Sequence, residues 1–178
     1  NVGTAKVVIC GKGVYTNSLT KTFTIRPETM ASAVITGCKA KYSYTGKQVK
    51  PLIQVVWNGK ILRNNTDYTL LYKNNKKRGS AGIVVTGKGN YSSTLTASFT
   101  IVRASVKKAS VTGLKAVYAR TGKAVKPKVT VKLGGKKLKK KRDYILSYRK
   151  NKKKGTALLY VKGVGNYSGT KKMKFKIR

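Results

Sequence analysis

Glu28, Asp67 and Asp143 are the only carboxylic side chains in this sequence of 178 residues, Cys10 and Cys38 are the only thiols, and histidine is absent. General acid–base catalysis needs a positioned carboxylate or imidazole near its working pH. Three scattered acids leave little from which to build such a centre, so most enzyme classes are excluded and catalysis would have to reside in an upstream domain. Zinc asks for four Cys, His or acidic ligands and calcium for several carboxylates. Neither a metal nor any other cofactor is therefore expected.

The abundant chemistry is cationic. Lys and Arg number 41, giving a formal charge of +38 at pH 7. Fourteen basic residues stand out as a candidate polyanion-binding set in three groups. Lys136, Lys137, Lys139, Lys140, Lys141 and Arg142 read as one loop, and Arg149, Lys150, Lys152, Lys153 and Lys154 as another. A strand over 143–148 would hold these two about 20 Å apart, at opposite ends of a domain. Lys172, Lys174 and Lys176 form the third group, on an outward strand face that Lys126, Lys128 and Lys132 of a neighbouring strand would extend.

These groups sit in a chain that repeats itself. Gly37, Tyr42, Gly46, Pro51, Asp67, Tyr68, Gly79, Gly87, Gly89, Asn90, Tyr91 and Phe99 return 76 positions later as Gly113, Tyr118, Gly122, Pro127, Asp143, Tyr144, Gly155, Gly163, Gly165, Asn166, Tyr167 and Phe175. The same offset carries Gly3, Gly11, Gly13, Tyr15 and Phe23 onto Gly79, Gly87, Gly89, Tyr91 and Phe99. Apolar residues alternate with polar ones in Thr-Lys-Lys-Met-Lys-Phe-Lys-Ile-Arg at 170–178, which is strand periodicity. Asn58-Gly59 and Gly134-Gly135 fall between apolar runs, where a two-residue hairpin turn demands positive φ. The pattern predicts an all-β fold of tandem immunoglobulin-like β-sandwiches, about seven strands to each unit. Three segments follow: 1–26 as the closing hairpin of a truncated sandwich, 27–102 as one repeat and 103–178 as a second. Asn1 opens on no signal segment, so the chain reads as part of something longer. A lone hairpin must lean on the next domain, pair with another chain or stay disordered.

Tyr44-Thr45-Gly46-Lys47, Asp67-Tyr68-Thr69-Leu70, Asn74-Asn75, Gly79 and Gly87-Lys88-Gly89-Asn90-Tyr91-Ser92 together resemble the tandem bacterial Ig-like (MBG-like) repeats of secreted and surface proteins from Gram-positive anaerobes. The resemblance implies an all-β tandem array, display on or outside the cell, and a non-catalytic spacer, wall-associated or adhesive role beside upstream domains of the same protein. The family has no general catalytic site to carry over.

The lysine excess departs from that pattern. Net charge rises from +4 over 1–26 to +9 over 27–102 and +25 over 103–178. Thr96, Ser98 and Thr100 become Lys172, Lys174 and Lys176, while Thr20, Thr22 and Thr24 stand at the same places in the first segment. Neutral hydroxyls satisfy the same strand, and crowded like charges oppose compactness, so an external polyanion is the natural cause, with solubility of a secreted array as the bland alternative. An anionic cell-wall polymer or anionic glycan suits an extracellular array. Non-specific nucleic acid would also bind in a test tube, since phosphate neutralisation needs only Lys and Arg. A dedicated nucleic-acid binder is the alternative; it would place aromatics among the cations, yet Tyr144, Tyr148 and Tyr160 read as packing residues.

Smaller features carry structural readings. The Gly-x-Gly-Asn-Tyr runs at 87–91 and 163–167 read as turns with a packed tyrosine, no helix following them to cradle a phosphate. Asp67 and Asp143 read as turn residues bonded to backbone amides, with an acid-assisted Lys–Asn isopeptide crosslink as the sharper option. Cys10 and Cys38 either bridge the hairpin to the next domain or remain free thiols. No apolar run approaches the ~18 residues of a membrane-spanning helix.

Overall fold

The computed structural model describes residues 1–178 and is an all-β sandwich structure, with one short 3-10 turn at Val106–Lys108. No helix is long and apolar enough to cross a membrane. Strands β1 (Gly3–Cys10) and β2 (Ser18–Ile25) form an antiparallel hairpin. Nine strands follow: β3 (Glu28–Thr29), β4 (Val34–Thr36), β5 (Lys41–Ser43), β6 (Gln54–Trp57), β7 (Lys60–Leu62), β8 (Tyr68–Lys73), β9 (Gly79–Gly87), β10 (Tyr91–Ser92) and β11 (Thr94–Val102). The next nine are β12 (Ala104–Ser105), β13 (Ser110–Thr112), β14 (Val117–Tyr118), β15 (Thr130–Leu133), β16 (Lys136–Lys137), β17 (Tyr144–Arg149), β18 (Gly155–Gly163), β19 (Tyr167–Ser168) and β20 (Thr170–Ile177). Each strand from β12 onward starts 76 positions after its counterpart, as with 28 and 104 or 94 and 170.

Contacts divide the chain into two compact units. Asn1–Ala40, Lys50–Asn75 and Ser80–Phe99 make the first; Lys41–Val49, Lys76–Gly79 and Thr100–Arg178 make the second. In the first, Val55 of β6, Leu62 of β7, Tyr68 of β8, Ile83 and Val85 of β9 and Phe99 of β11 are buried. In the second, the sheet β14-β20-β18-β17 sends Tyr144, Ala157, Leu159, Val161, Phe175 and Ile177 into a core shared with Val106, Val131 and Leu138, while β13-β15-β16 makes a second sheet. Period-two alternation explains this division, since every second side chain of a strand meets the same layer. Parallel pairing of β14 with β20 and of β12 with β19 completes the edges.

Local chemistry fixes the register. Asn58 and Gly59 have φ of +46° and +74°, and Gly134 and Gly135 have +55° and +76°. Those values close the two-residue turns β6–β7 and β15–β16, where Trp57 pairs with Lys60 and Leu133 with Lys136. The Gly-x-Gly-Asn-Tyr runs are turns as expected. A Cβ on Gly163 would stand 2.7 Å from the Ser168 amide nitrogen, so the chain crosses itself there too closely for any side chain. Tyr91 packs edge-to-face on Trp57, with ring centroids 5.6 Å apart.

The hairpin meets the following segment at one end and is otherwise exposed. All of residues 1–26 except Val2 and Ala5 are exposed. Its Gly3/Ile25 end is the anchored one, where the Val2 amide donates to Asn90 Oδ1 at 3.0 Å. Cys10 pairs with Ser18 at the other end, roughly 23 Å along the strand. The disulfide contemplated for Cys10 and Cys38 is accordingly not formed, and both are free thiols, with Cys38 Sγ donating to the Lys39 carbonyl.

Candidate functional site

Phe175 and Ile177 point into the core of the second unit, so parity along β20 turns Lys172, Lys174 and Lys176 outward, about 6.7 Å from one to the next. Across the sheet, Lys172 lies opposite Tyr160, Lys174 opposite Leu158 and Lys176 opposite Thr156. The next strand adds Ser147 opposite Tyr160 and Arg149 opposite Leu158. The Arg149 guanidinium carbon sits 5.7 Å from the Tyr160 ring centroid. A half-exposed tyrosine is thus framed by cations on both neighbouring strands.

Tyr160 therefore departs from its reading as a packing residue. Tyr144 is buried and the Tyr148 hydroxyl donates to the Pro127 carbonyl at 2.7 Å, as expected of interior tyrosines. Residues 157–161, Ala-Leu-Leu-Tyr-Val, are apolar throughout, so the sequence leaves the parity of Tyr160 ambiguous. Burial of Ala157, Leu159 and Val161 decides it, and adds Lys162 to the outer face.

The other basic groups meet this face at its two ends. Strands β17 and β20 both run antiparallel to β18 and hence share one direction. Lys139, Lys140 and Lys141 precede β17, while Lys150, Lys152, Lys153 and Lys154 follow it, with about 17 Å of strand between. By register Lys172 and Lys174 lie level with Ser147 and Arg149, in the last half of β17, and Lys176 lies past the end of that strand. Two expectations need correction. Lys136 and Lys137 belong to strand β16 rather than to a loop. Lys132 lies on β15, in the other sheet, and Lys126 and Lys128 lie in no strand, so none of the three extends the β20 face.

Asp143 shapes the turn ahead of β17. Its Oδ2 accepts the Lys139 amide at 2.8 Å and Arg142 Nη2 at 2.9 Å, while Oδ1 accepts Arg142 Nε at 2.9 Å. The Arg142 fork first, and the Lys139 amide after it, hold this carboxyl below the usual aspartate range against the opposing effect of burial. Lys141 takes φ of +71° in the same turn. Asp67 does the same work for Arg63, whose amide reaches its Oδ2 at 2.8 Å. Here the backbone amide is the foremost cause of the lowered carboxyl pKa. Arg142 is consequently committed to the turn, and the loop lysines carry the unpaired charge. No lysine is buried, so the isopeptide crosslink has no nucleophile in an apolar site.

The ammonium groups of Lys137, Lys139, Lys140, Lys141, Lys150, Lys152, Lys153, Lys154, Lys172, Lys174 and Lys176 form no hydrogen bond or ion pair within the protein. Lys171 provides the contrast, donating to the Ala109 carbonyl at 2.6 Å. Lys136 lies over the Tyr44 ring at 5.9 Å. A hollow of about 890 Å³ in the second unit is lined by Tyr44, Thr45, Lys108, Lys136 and Tyr167 among others, and holds no carboxylate or thiol.

The counterpart face, 76 positions earlier, has Thr96, Ser98 and Thr100 on β11 and Gly82, Val84 and Thr86 on β9. Strand β11 forms on hydroxyl residues, so the β20 lysines and Tyr160 are not what the sheet requires, whereas Arg149, Lys152, Lys153 and Lys154 have basic counterparts in Lys73, Lys76, Lys77 and Arg78. No family model, curated protein or solved structure matches the chain.

Proposed function

We propose that the chain is a non-catalytic module of a secreted or cell-surface protein, a tandem array of Ig-like repeats acting as spacer and adhesion element. Its basic segment, 103–178, docks on an anionic polymer of a cell wall or on an anionic glycan. The observation that carries this reading is the unpaired lysine ladder of β20, whose counterparts on β11 are Thr96, Ser98 and Thr100. A sheet face with cations at both ends and along its length fits an extended polymer better than one small anion.

The test is retention of the whole chain on isolated wall polymer and on anionic glycan at two salt concentrations, beside the variant Lys172→Thr/Lys174→Ser/Lys176→Thr. Binding that falls with salt and with the substitutions supports the proposal. Equal retention of both proteins would refute it.

A nucleic-acid-binding role is favoured by one observation, the half-exposed Tyr160 beside Arg149 and Lys172, because single strands stack on aromatic rings within a basic groove. It requires sequence- or structure-selective affinity that survives physiological salt.

A further inference from the structure

One face of the first hairpin bears Ala5, Val7, Ile9, Leu19, Phe23 and Ile25, with Ala5 opposite Phe23, Ile9 opposite Leu19 and Gly3 opposite Ile25, and is interrupted by Lys21 opposite Val7. Directly opposed residues of an antiparallel pair share a face. Val7, Ile9, Phe23 and Ile25 are 41–59% exposed, whereas their counterparts 76 positions on, Ile83, Val85, Phe99 and Ile101, are at most 2% exposed. The other face carries Thr4, Lys6, Ser18, Thr20, Thr22 and Thr24 together with Val8 and Cys10, so it is the more polar of the two.

What covers such a face is visible elsewhere in the same chain. In the second unit, the matching residues Ala157, Leu159, Val161, Phe175 and Ile177 cluster with Val106, Val131, Leu138 and Tyr144, all supplied by the stretch preceding β18. Tyr15 is a second sign. It is 76% exposed, while its counterpart Tyr91 packs edge-to-face on Trp57, a residue of β6. The hairpin thus has a ring in want of an indole as well as a half-core in want of its lid.

From this we infer that the β1–β2 hairpin is an acceptor for a polypeptide segment with the strand pattern of residues 27–78, which closes over Val7, Ile9, Phe23 and Ile25 and seats Tyr15 against a Trp57-like side chain. The inference stands independently of any polyanion binding by the basic face.

The experiment adds a synthetic polypeptide of residues 27–78 to the whole chain and follows amide exchange residue by residue. A one-to-one complex is expected, with exchange across β1 and β2 slowed at least tenfold and exchange across β12–β20 unchanged. Val7→Asp/Phe23→Asp in the whole chain should abolish that protection without altering exchange in the second unit. A second arm joins residues 27–78 directly ahead of residue 1, so that solubility of the free segment does not limit the result; the same protection should appear in the single chain. Unprotected hairpin amides in both arms would overturn the proposal. So would equal protection in the Asp variant, or self-association through the hairpin that the added segment cannot displace.

Discussion

Arg149 holds its guanidinium 5.7 Å from the ring centre of Tyr160, on the outer surface of a sheet whose inner surface is core. At the counterpart positions stand Lys73 and Val84, which cannot form that pair. A cation already placed over an aromatic ring prepares a surface on which a flat anionic group finds charge and stacking together. Replacing Tyr160 with Ala should weaken retention on an anionic glycan or single-stranded nucleic acid by about fivefold or more, in keeping with ~1–3 kcal/mol for stacking on an aromatic. Phe in its place should restore most of the affinity. Titration at constant salt with Tm measured in parallel separates this from any loss of stability.

The lysine ladder should reveal itself in salt dependence. Each charge neutralised on a phosphate polymer contributes roughly −0.7 to −0.9 to the slope of log K against log salt. Lys172→Thr/Lys174→Ser/Lys176→Thr should therefore make that slope shallower by about 2, without lowering Tm, because the ammonium groups bond nothing inside the protein. A fall in Tm would show that the ladder holds the sheet together.

Acid should loosen the turns at Asp67 and Asp143. Both carboxyls titrate below their ordinary range in the folded chain, so their contribution is complete above the unfolded value near 4 and fades as pH drops through the folded one. Asp143→Asn should cost about 1–3 kcal/mol at pH 7, since the carboxylate is buried and bonded to a backbone amide and a guanidinium. Urea unfolding at pH 7, 4 and 2.5 should find the gap between variant and parent closing in acid.

Phe175 should be the most costly position on β20. Its ring is 2% exposed and meets Tyr118 edge-to-face at 5.4 Å. Phe175→Ala should lose about 3–5 kcal/mol, whereas Lys174→Ala, one residue away on the opposite parity, should change stability little. Thermal unfolding of the two variants side by side decides the matter.

Much of the architecture was written in local pattern. Alternation at 170–178 predicted which face of β20 is interior, and Asn58-Gly59 and Gly134-Gly135 predicted tight turns because only certain residues accept two successive positive φ values. The site was legible as charge but not as shape. Lys132 and Lys174 look alike in sequence, and only sheet membership, a matter of long-range pairing, separates them. Tyr160 was hidden by an apolar run with no alternation, where burial of its neighbours had to decide its side. Arg142 looked like one more free cation until Asp143 was seen to grip it.

Strand β20 also separates two inheritances. Met173, Phe175 and Ile177 answer to the interior, and Lys172, Lys174 and Lys176 answer to whatever lies outside. If the proposed docking on an anionic polymer holds, the residues that set binding and those that set the core alternate along one strand, so each series can be altered without changing the side chains of the other.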